Sequence, residues 1–270
     1  MNSFSWGDYI ERVWDYWYAE ENGRLFIVES GGEKKIAMSH VALCPTGRCI
    51  WLEGIRVHPD HRRSHIATLL ITKMLEYGRR RGAYQASAIV DTTNFASRRL
   101  MERSGFKVVS KWLYYSIGGK PRHQKSDARI ANAKDIHDIW KYLMQSKIYH
   151  LSAKRYVESW RWYVFDLKAL QNFVKDKRVI MFGQPIDGIA IINKRGYWGS
   201  ANILQVVYLD STSALSLYNL ISFIINIYLD GKFDTLQLMC YKNMRLSSFI
   251  NKFMIREQVE FLLYNKQFRQ

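Results

Sequence analysis

The sequence predicts a mixed α/β fold with a mainly antiparallel sheet, laid down twice along one chain. Three observations lead there. Short apolar strand-like runs alternate with runs at three- and four-residue steps, turn residues separate them, and a second stretch repeats the element order of the first. With 270 residues, 48% of them hydrophobic, the chain can bury a large core or two smaller ones, and disorder is excluded.

The first half opens with a helical segment from Tyr9 to Tyr18 and a strand from Arg24 to Glu29, followed by the turn SGGEK. Strands IAMSHVAL and CIWLEGIRVH, joined by CPTGR, complete an antiparallel meander. Ile66, Leu69, Leu70, Lys73, Met74 and Tyr77 then recur at helical steps, with Gly82 as terminator. A strand, YQASAIVD, a helix from Thr93 to Arg103 closed by Gly105, and a strand, KVVSKWLYYS, follow.

The polar stretch IGGKPRHQKS reads as a linker, so domains are expected over 1–118 and 127–270 with residues 119–126 between them. Beyond it come a strand near ARIAN, a helix from Asp135 to Met144 and a Trp/Tyr-rich helical region near Ser159 to Phe165. Strands RVIMFG, GIAIINK and ILQVVYL, an apolar helix from Ser213 to Leu229, strand TLQLMCY, helix NMRLSSFINKFM and strand VEFLLYN complete the second half.

Composition narrows the function classes. The start, MNSFSWGDYIERVW, has no basic segment ahead of an apolar one, so no secretory signal is expected and a cytoplasmic location is. The apolar helix contains Asn219, Asn226 and three serines and falls short of a membrane span. Three cysteines, Cys44, Cys49 and Cys240, lack a disulfide-framework or zinc spacing, so reduced thiols are expected. The seven histidines are scattered, and no metal is expected. A formal charge of +16 predicts anionic partners: nucleotide-like cofactors, nucleic acid, acidic proteins or anionic membrane surface.

Two blocks choose among these. In HPDHRRSHIATLL a Pro-Asp turn and two arginines lead into a helix, whose first amides form a ready phosphate site. Arg62 and Arg63 add fork geometry suited to phosphate oxygens. The second block, NFASRRLMERSGF, is a helix led by Asn94 and ended by Gly105 and Phe106. Over about Asp8 to Ser116 the blocks resemble the GNAT acyltransferase superfamily, whose motif (Gln/Arg)-x-x-Gly-x-(Gly/Ala) falls on Arg62, Arg63, Ser64, His65, Ile66 and Ala67.

The resemblance implies an N-acetyltransferase that moves an acetyl group from acetyl-CoA to a primary amine by direct attack. It implies that Ile55, Arg56 and Val57 pair with the pantetheine arm, that the Val57 amide polarises the thioester, and that Arg62 through Thr68 hold the pyrophosphate. Asn94 is implied to hydrogen-bond the cofactor arm. A carboxylate must also deprotonate the amine, and Glu53, two and four residues before Ile55 and Val57, shares their face by alternation. Asp91 is the alternative base.

The chain departs from the family at two positions. His65 stands where the motif prefers glycine, and Met101 stands where many members carry a tyrosine proposed as general acid; Ser97, one turn earlier, is a weak substitute. In the second half, LDSTSALSL has neither arginine nor glycine at the phosphate turn, so that half is expected not to bind CoA. The first half lacks the family's first strand and helix, and the second half or another chain is expected to cover the exposed edge. The alternative readings are a non-catalytic acyl-CoA-binding or regulatory protein and, less favoured, a nucleic-acid-binding protein; a homodimer is left open.

Overall fold

The computed structural model describes residues 9–32, 34–119, 121–194, 202–242 and 254–268. The chain forms two compact units, Met1–Val109 with Leu262–Gln270 and Ser110–Phe261. The first contains α1 (Ile10–Ala19), β1 (Gly23–Ser30), β2 (Lys34–Leu43), β3 (Cys49–Val57), α2 (Ile66–Arg80), β4 (Gln85–Asp91) and α3 (Phe95–Arg103). The chain continues through β5 (Lys107–Gly118), β6 (Arg129–Ile130), α4 (Ile136–Gln145), α5 (Lys147–Leu151), β7 (Arg155–Glu158), β8 (Arg161–Val164) and α6 (Leu167–Lys175). It ends with β9 (Val179–Phe182), β10 (Gly188–Asn193), β11 (Ile203–Ser211), α7 (Ala214–Asp230), β12 (Thr235–Tyr241) and β13 (Met254–Gln267).

In the first unit the strand order is β1-β2-β3-β4-β13. The hairpin pairs are antiparallel and β3 runs parallel to β4. Alternation along β2 and β3 turns Val41, Ile50 and Leu52 toward Ile71, Met74 and Leu75 of α2. A Cβ at Gly78 would lie 2.6 Å from Ile50 Cδ1, so glycine lets α2 approach β3 this closely.

Most of β5, which follows α3 in sequence, belongs to the second unit, and the first unit instead takes the end of β13. Leu262 and Tyr264 alternate into its core beside Met101 and Phe106, while Asn265 Nδ2 donates to Gln85 Oε1 and Ser87 Oγ. β1 lies at the end of this sheet, and among the described residues no strand pairs with its outer edge.

The second unit has the order β13-β5-β12-β11-β10-β9-β6, in which β11 and β12 are parallel. α7 buries Leu217, Leu220, Ile221, Ile224 and Ile225 against Ile192, Leu204, Val206, Leu236 and Leu238. Its polar residues have a specific use. Asn219 Oδ1 accepts from the Asp127 amide, Asn226 Oδ1 accepts from the Gln124 amide, and Asn226 Nδ2 donates back to Gln124 O. These bonds satisfy an extended stretch that has no sheet partner of its own. Among the described residues no helix is long and apolar enough to cross a membrane.

Two expectations are corrected. The region Ser159 to Phe165 is not helical: β7 and β8 form a hairpin whose central residues, Ser159 and Trp160, have φ of 51° and 62°. That handedness matches the twist of paired strands, which a helix start cannot provide. Cys44 and Cys49 are also not reduced; they form a disulfide with Cα atoms 5.4 Å apart, because the β2–β3 turn sets them face to face. The helix expected at NMRLSSFINKFM lies almost wholly outside the described residues.

Candidate active site

The site begins with an irregularity in β3. Met38 pairs with Arg56 and His40 with Glu53, so Ser39 alone faces both Gly54 and Ile55, a β-bulge. Gly54 has φ of +66° and lies under Trp17, whose ring carbons would be 2.5 Å from an added Cβ. The extra residue breaks the alternation. Ile55 packs on the core shared with Leu52, whereas Glu53 turns the other way to His40. The expectation that Glu53, Ile55 and Val57 share one face is therefore wrong, since a period-two count cannot see an inserted residue.

The same strand parts from its parallel neighbour. β3 and β4 pair only at Cys49↔Gln85, Ile50↔Ala86 and Trp51↔Ser87, leaving Leu52–Val57 unpaired with β4. At such a split between parallel strands an extended ligand can pair with a strand. Arg56 donates from Nη1 to Ile55 O, and its guanidinium lies 5.3 Å from the Tyr9 ring centroid.

Past Val57 the chain makes a single turn of 3₁₀ helix at Pro59–His61 and enters α2 through Arg62–His65. Arg62 Nε donates to Val57 O at 3.3 Å, tying the turn to the strand end. Arg63 and His65 have φ of 64° and 59°, while Ser64 between them stays out of the left-handed region. Alternating hand aims successive amides to one side, the geometry of an anion-binding nest. No side chain caps α2, and the residues from Arg62 through His65 are exposed.

The left-handed backbone gives a local reason for the family's glycine at His65. An L-residue there costs roughly 1–2 kcal/mol. His65→Gly is expected to raise stability by about 1 kcal/mol. Chemical denaturation of the variant checks this.

The second block supplies the neighbouring helix start. Asn94 caps α3, its Oδ1 accepting from the Ser97 amide at 3.0 Å. Ser97 is half-buried, and Met101, one turn on, lies in the apolar core. Asp91 Oδ1 accepts from the amide and hydroxyl of Thr93 at 2.7 and 2.8 Å, forming the turn that leads into α3. These bonds hold the Asp91 carboxylate in the turn, whereas Glu53 stands beside the parted strands.

Residues that sequence reasoning missed surround Glu53. His40 Nδ1 lies 2.9 Å from Glu53 Oε1, and His40 Nε2 lies 3.6 Å from Glu20 Oε2. The His40 ring is fully buried and stacked on Trp17, with centroids 4.7 Å apart and planes at 4°. Counting residue pairs back from the Cys44–Cys49 turn places His40 opposite Glu53, so the signal was present in the hairpin register.

The equivalent turn of the second unit differs. At the start of α7 the Asp187 carboxylate accepts from Thr212 Oγ1 and, at 2.5 Å, from Ser213 Oγ. Ser213 also caps the helix by accepting from the Ser216 amide. The start of α7 is thus capped by Ser213, whose hydroxyl Asp187 engages, whereas α2 has no side-chain cap. On β11, buried Asp210 accepts from Tyr142, Ser146 and Tyr208; burial pushes its carboxyl up, and those three donors oppose the shift.

The first unit of this α/β protein thus combines a parted parallel strand pair with a helix start that no side chain caps, a geometry an extended, anion-bearing ligand would fit. Its family can be stated more closely. Residues 1–106 match the model of the acetyltransferase (GNAT) family. The first part of the chain is thus a GNAT acetyltransferase domain, and the whole has the GNAT fold.

Among solved structures, a GCN5-related N-acetyltransferase from Sphaerobacter thermophilus aligns with a TM-score of 0.64 at 14% identity, covering 98% of this chain and 87% of that one. A tandem GNAT protein from the clavulanic acid biosynthesis pathway aligns at 0.51 and 10% identity, covering 92% and 84%. The glucosamine N-acetyltransferase region of a fungal multi-domain β-N-acetylglucosaminidase aligns at 0.61 and 8% identity, covering 95% and 34%. No curated protein matches the chain by sequence.

Proposed function

We propose that the protein is an N-acetyltransferase that moves an acetyl group from acetyl-CoA to a primary amine within a ternary complex, using the first unit. The observation that carries this reading is the conjunction of parted β3 and β4 with the left-handed turn at Arg63–His65. In this reading the pantetheine arm pairs along Ile55–Val57 and the pyrophosphate sits on the amides from Ser64 to Thr68, with Arg62 and Arg63 supplying charge. Asn94 contributes its side-chain amide to the arm. The GNAT domain match over residues 1–106 supports the cofactor class.

The chemistry follows from those placements. The amine lone pair attacks the thioester carbonyl carbon, the developing oxyanion is held by the Val57 amide, and the C–S bond breaks as CoA thiolate leaves. Glu53 takes the amine proton. Buried Met101 offers no proton, so solvent protonates the thiolate. The second unit, with Asp187 bound to the N-cap of α7, is proposed to take no CoA. Two GNAT-like domains and a cytoplasmic location are parts of this proposal.

Calorimetry with acetyl-CoA and thiol release with an amine panel test this reading. Arg63→Glu is expected to weaken acetyl-CoA binding by roughly 30-fold, equivalent to about 2 kcal/mol, the range of a charge-assisted hydrogen bond. Unchanged affinity would reject the phosphate site. Binding without thiol release across the panel would favour the regulatory, acyl-CoA-binding alternative. Steeply salt-dependent DNA binding without CoA affinity would favour the nucleic-acid alternative.

A further inference from the structure

Glu20, His40 and Glu53 bring their ligand atoms within 4.8 Å of one another in the first unit. Each reaches the cluster from a different element: Glu20 from the residue capping the end of α1, His40 from β2 and Glu53 from β3. The imidazole lies between the carboxylates and presents a different nitrogen to each. We propose that His40 is a positioning residue for acetyl transfer: its Nδ1–H donates to Glu53 Oε1 and fixes the carboxylate orientation, while stacking on Trp17 holds the ring. The proposal rests on the reading that Glu53 takes the amine proton.

Hydrogen-bond chemistry assigns the proton. A carboxylate oxygen only accepts, so a contact of 2.9 Å requires the hydrogen on Nδ1. At 3.6 Å the Nε2–Glu20 contact is too long for a hydrogen bond, which leaves the Nδ1–Glu53 bond as the ring's carboxylate hydrogen bond. The ring also has little freedom to leave this arrangement. It is buried, stacked on Trp17, and backed by Gly23, where an added Cβ would lie 2.5 Å from Nε2.

Fixing this carboxylate has a mechanistic consequence. A glutamate side chain has three torsions, and Glu53 immediately precedes the bulge at Gly54 and Ile55, where regular pairing is interrupted. A proton acceptor displaced by about 1 Å loses on the order of 10²-fold in rate. Direct cross-strand pairing places His40 where one hydrogen bond can prevent that displacement. His40 Nδ1 is thus placed to donate to this Glu53 oxygen from the directly opposite strand position.

The test combines steady-state kinetics of His40→Leu, His40→Asn and Glu53→Gln with ¹⁵N-imidazole NMR of the full-length protein. His40→Leu should lower kcat roughly 30-fold with KM for acetyl-CoA unchanged, a loss of positioning without loss of binding. His40→Asn, which can place an amide N–H near the Nδ1 position, should recover activity to within about threefold of the wild type. In a Glu53→Gln background, His40→Leu should cost less than about threefold, because coupled residues are not additive. The spectrum should show a proton on His40 Nδ1.

Equal losses in His40→Asn and His40→Leu, or the full 30-fold loss in the Glu53→Gln background, would overturn the proposal. An unprotonated Nδ1 would do so even where His40→Leu fails to fold. Full activity in Glu53→Gln would instead remove the reading on which the proposal rests. Inactive Glu53→Gln with an unprotonated Nδ1 would leave that reading standing and reject only the role of His40.

Discussion

Replacing Glu53 by glutamine is expected to lower kcat for the proposed amine acetylation by about 10²–10⁴-fold, the range of a general base's contribution. Affinity for acetyl-CoA is expected to stay within about threefold, because in the proposed reaction the proton is transferred only as the bond to the amine forms. Glutamine keeps the size of the side chain and can still meet His40, so the loss is specific to the proton acceptor. Initial-rate kinetics with a responsive amine measure it, and a kcat within threefold of the wild type contradicts the assignment. Asp91→Asn provides a contrast: its carboxylate accepts from Thr93 twice, so its loss is expected to loosen the entry to α3 without a comparable fall in kcat.

Gly54→Val is expected to destabilise the first unit by on the order of 3 kcal/mol or more. Two independent costs add. A β-branched residue is forced to φ near +66°, and its Cβ falls 2.5 Å from the Trp17 ring. The second cost spreads, since Trp17 also covers His40 and helps anchor α1. Urea denaturation followed by tryptophan fluorescence measures the effect; a loss below about 1 kcal/mol would show that the bulge and the Trp17 contact are not needed. Gly54→Ala, which escapes the β-branched penalty, should fall between the two.

Much of this architecture is legible in the sequence because its signals are local. IAMSHVAL and CIWLEGIRVH flank a short turn, and their pairing follows from it. HPDHRRSHIATLL marks a helix entry through its proline, its arginines and the apolar spacing that follows, and α2 begins at Ile66. Asn94 reads as a cap and is one. The features missed depend on pairing or distance along the chain.

The bulge is visible only when β3 is laid against β2, so strict alternation placed Glu53 on the wrong face. YVESWRWYV is too short and too aromatic for periodicity to distinguish helix from hairpin; the left-handed pair Ser159–Trp160 decides it. The place of β13 beside β4 joins residues about 180 positions apart, as in the Asn265–Gln85 bond, and no local pattern carries that information. His65 is an intermediate case. Its position was marked by the family motif, but the physical reason, a backbone at φ of 59°, belongs to the fold.

The central claim is that acetyl-CoA binds the first unit along the end of β3 and at the start of α2. Amide hydrogen exchange with and without saturating acetyl-CoA tests it most directly. Protection is predicted at Ile55–Val57 and Ser64–Thr68, with none at Thr212–Ser216, where Asp187 already engages the helix start. Unchanged exchange at Ser64–Thr68, or ligand-dependent protection confined to Thr212–Ser216, would contradict it.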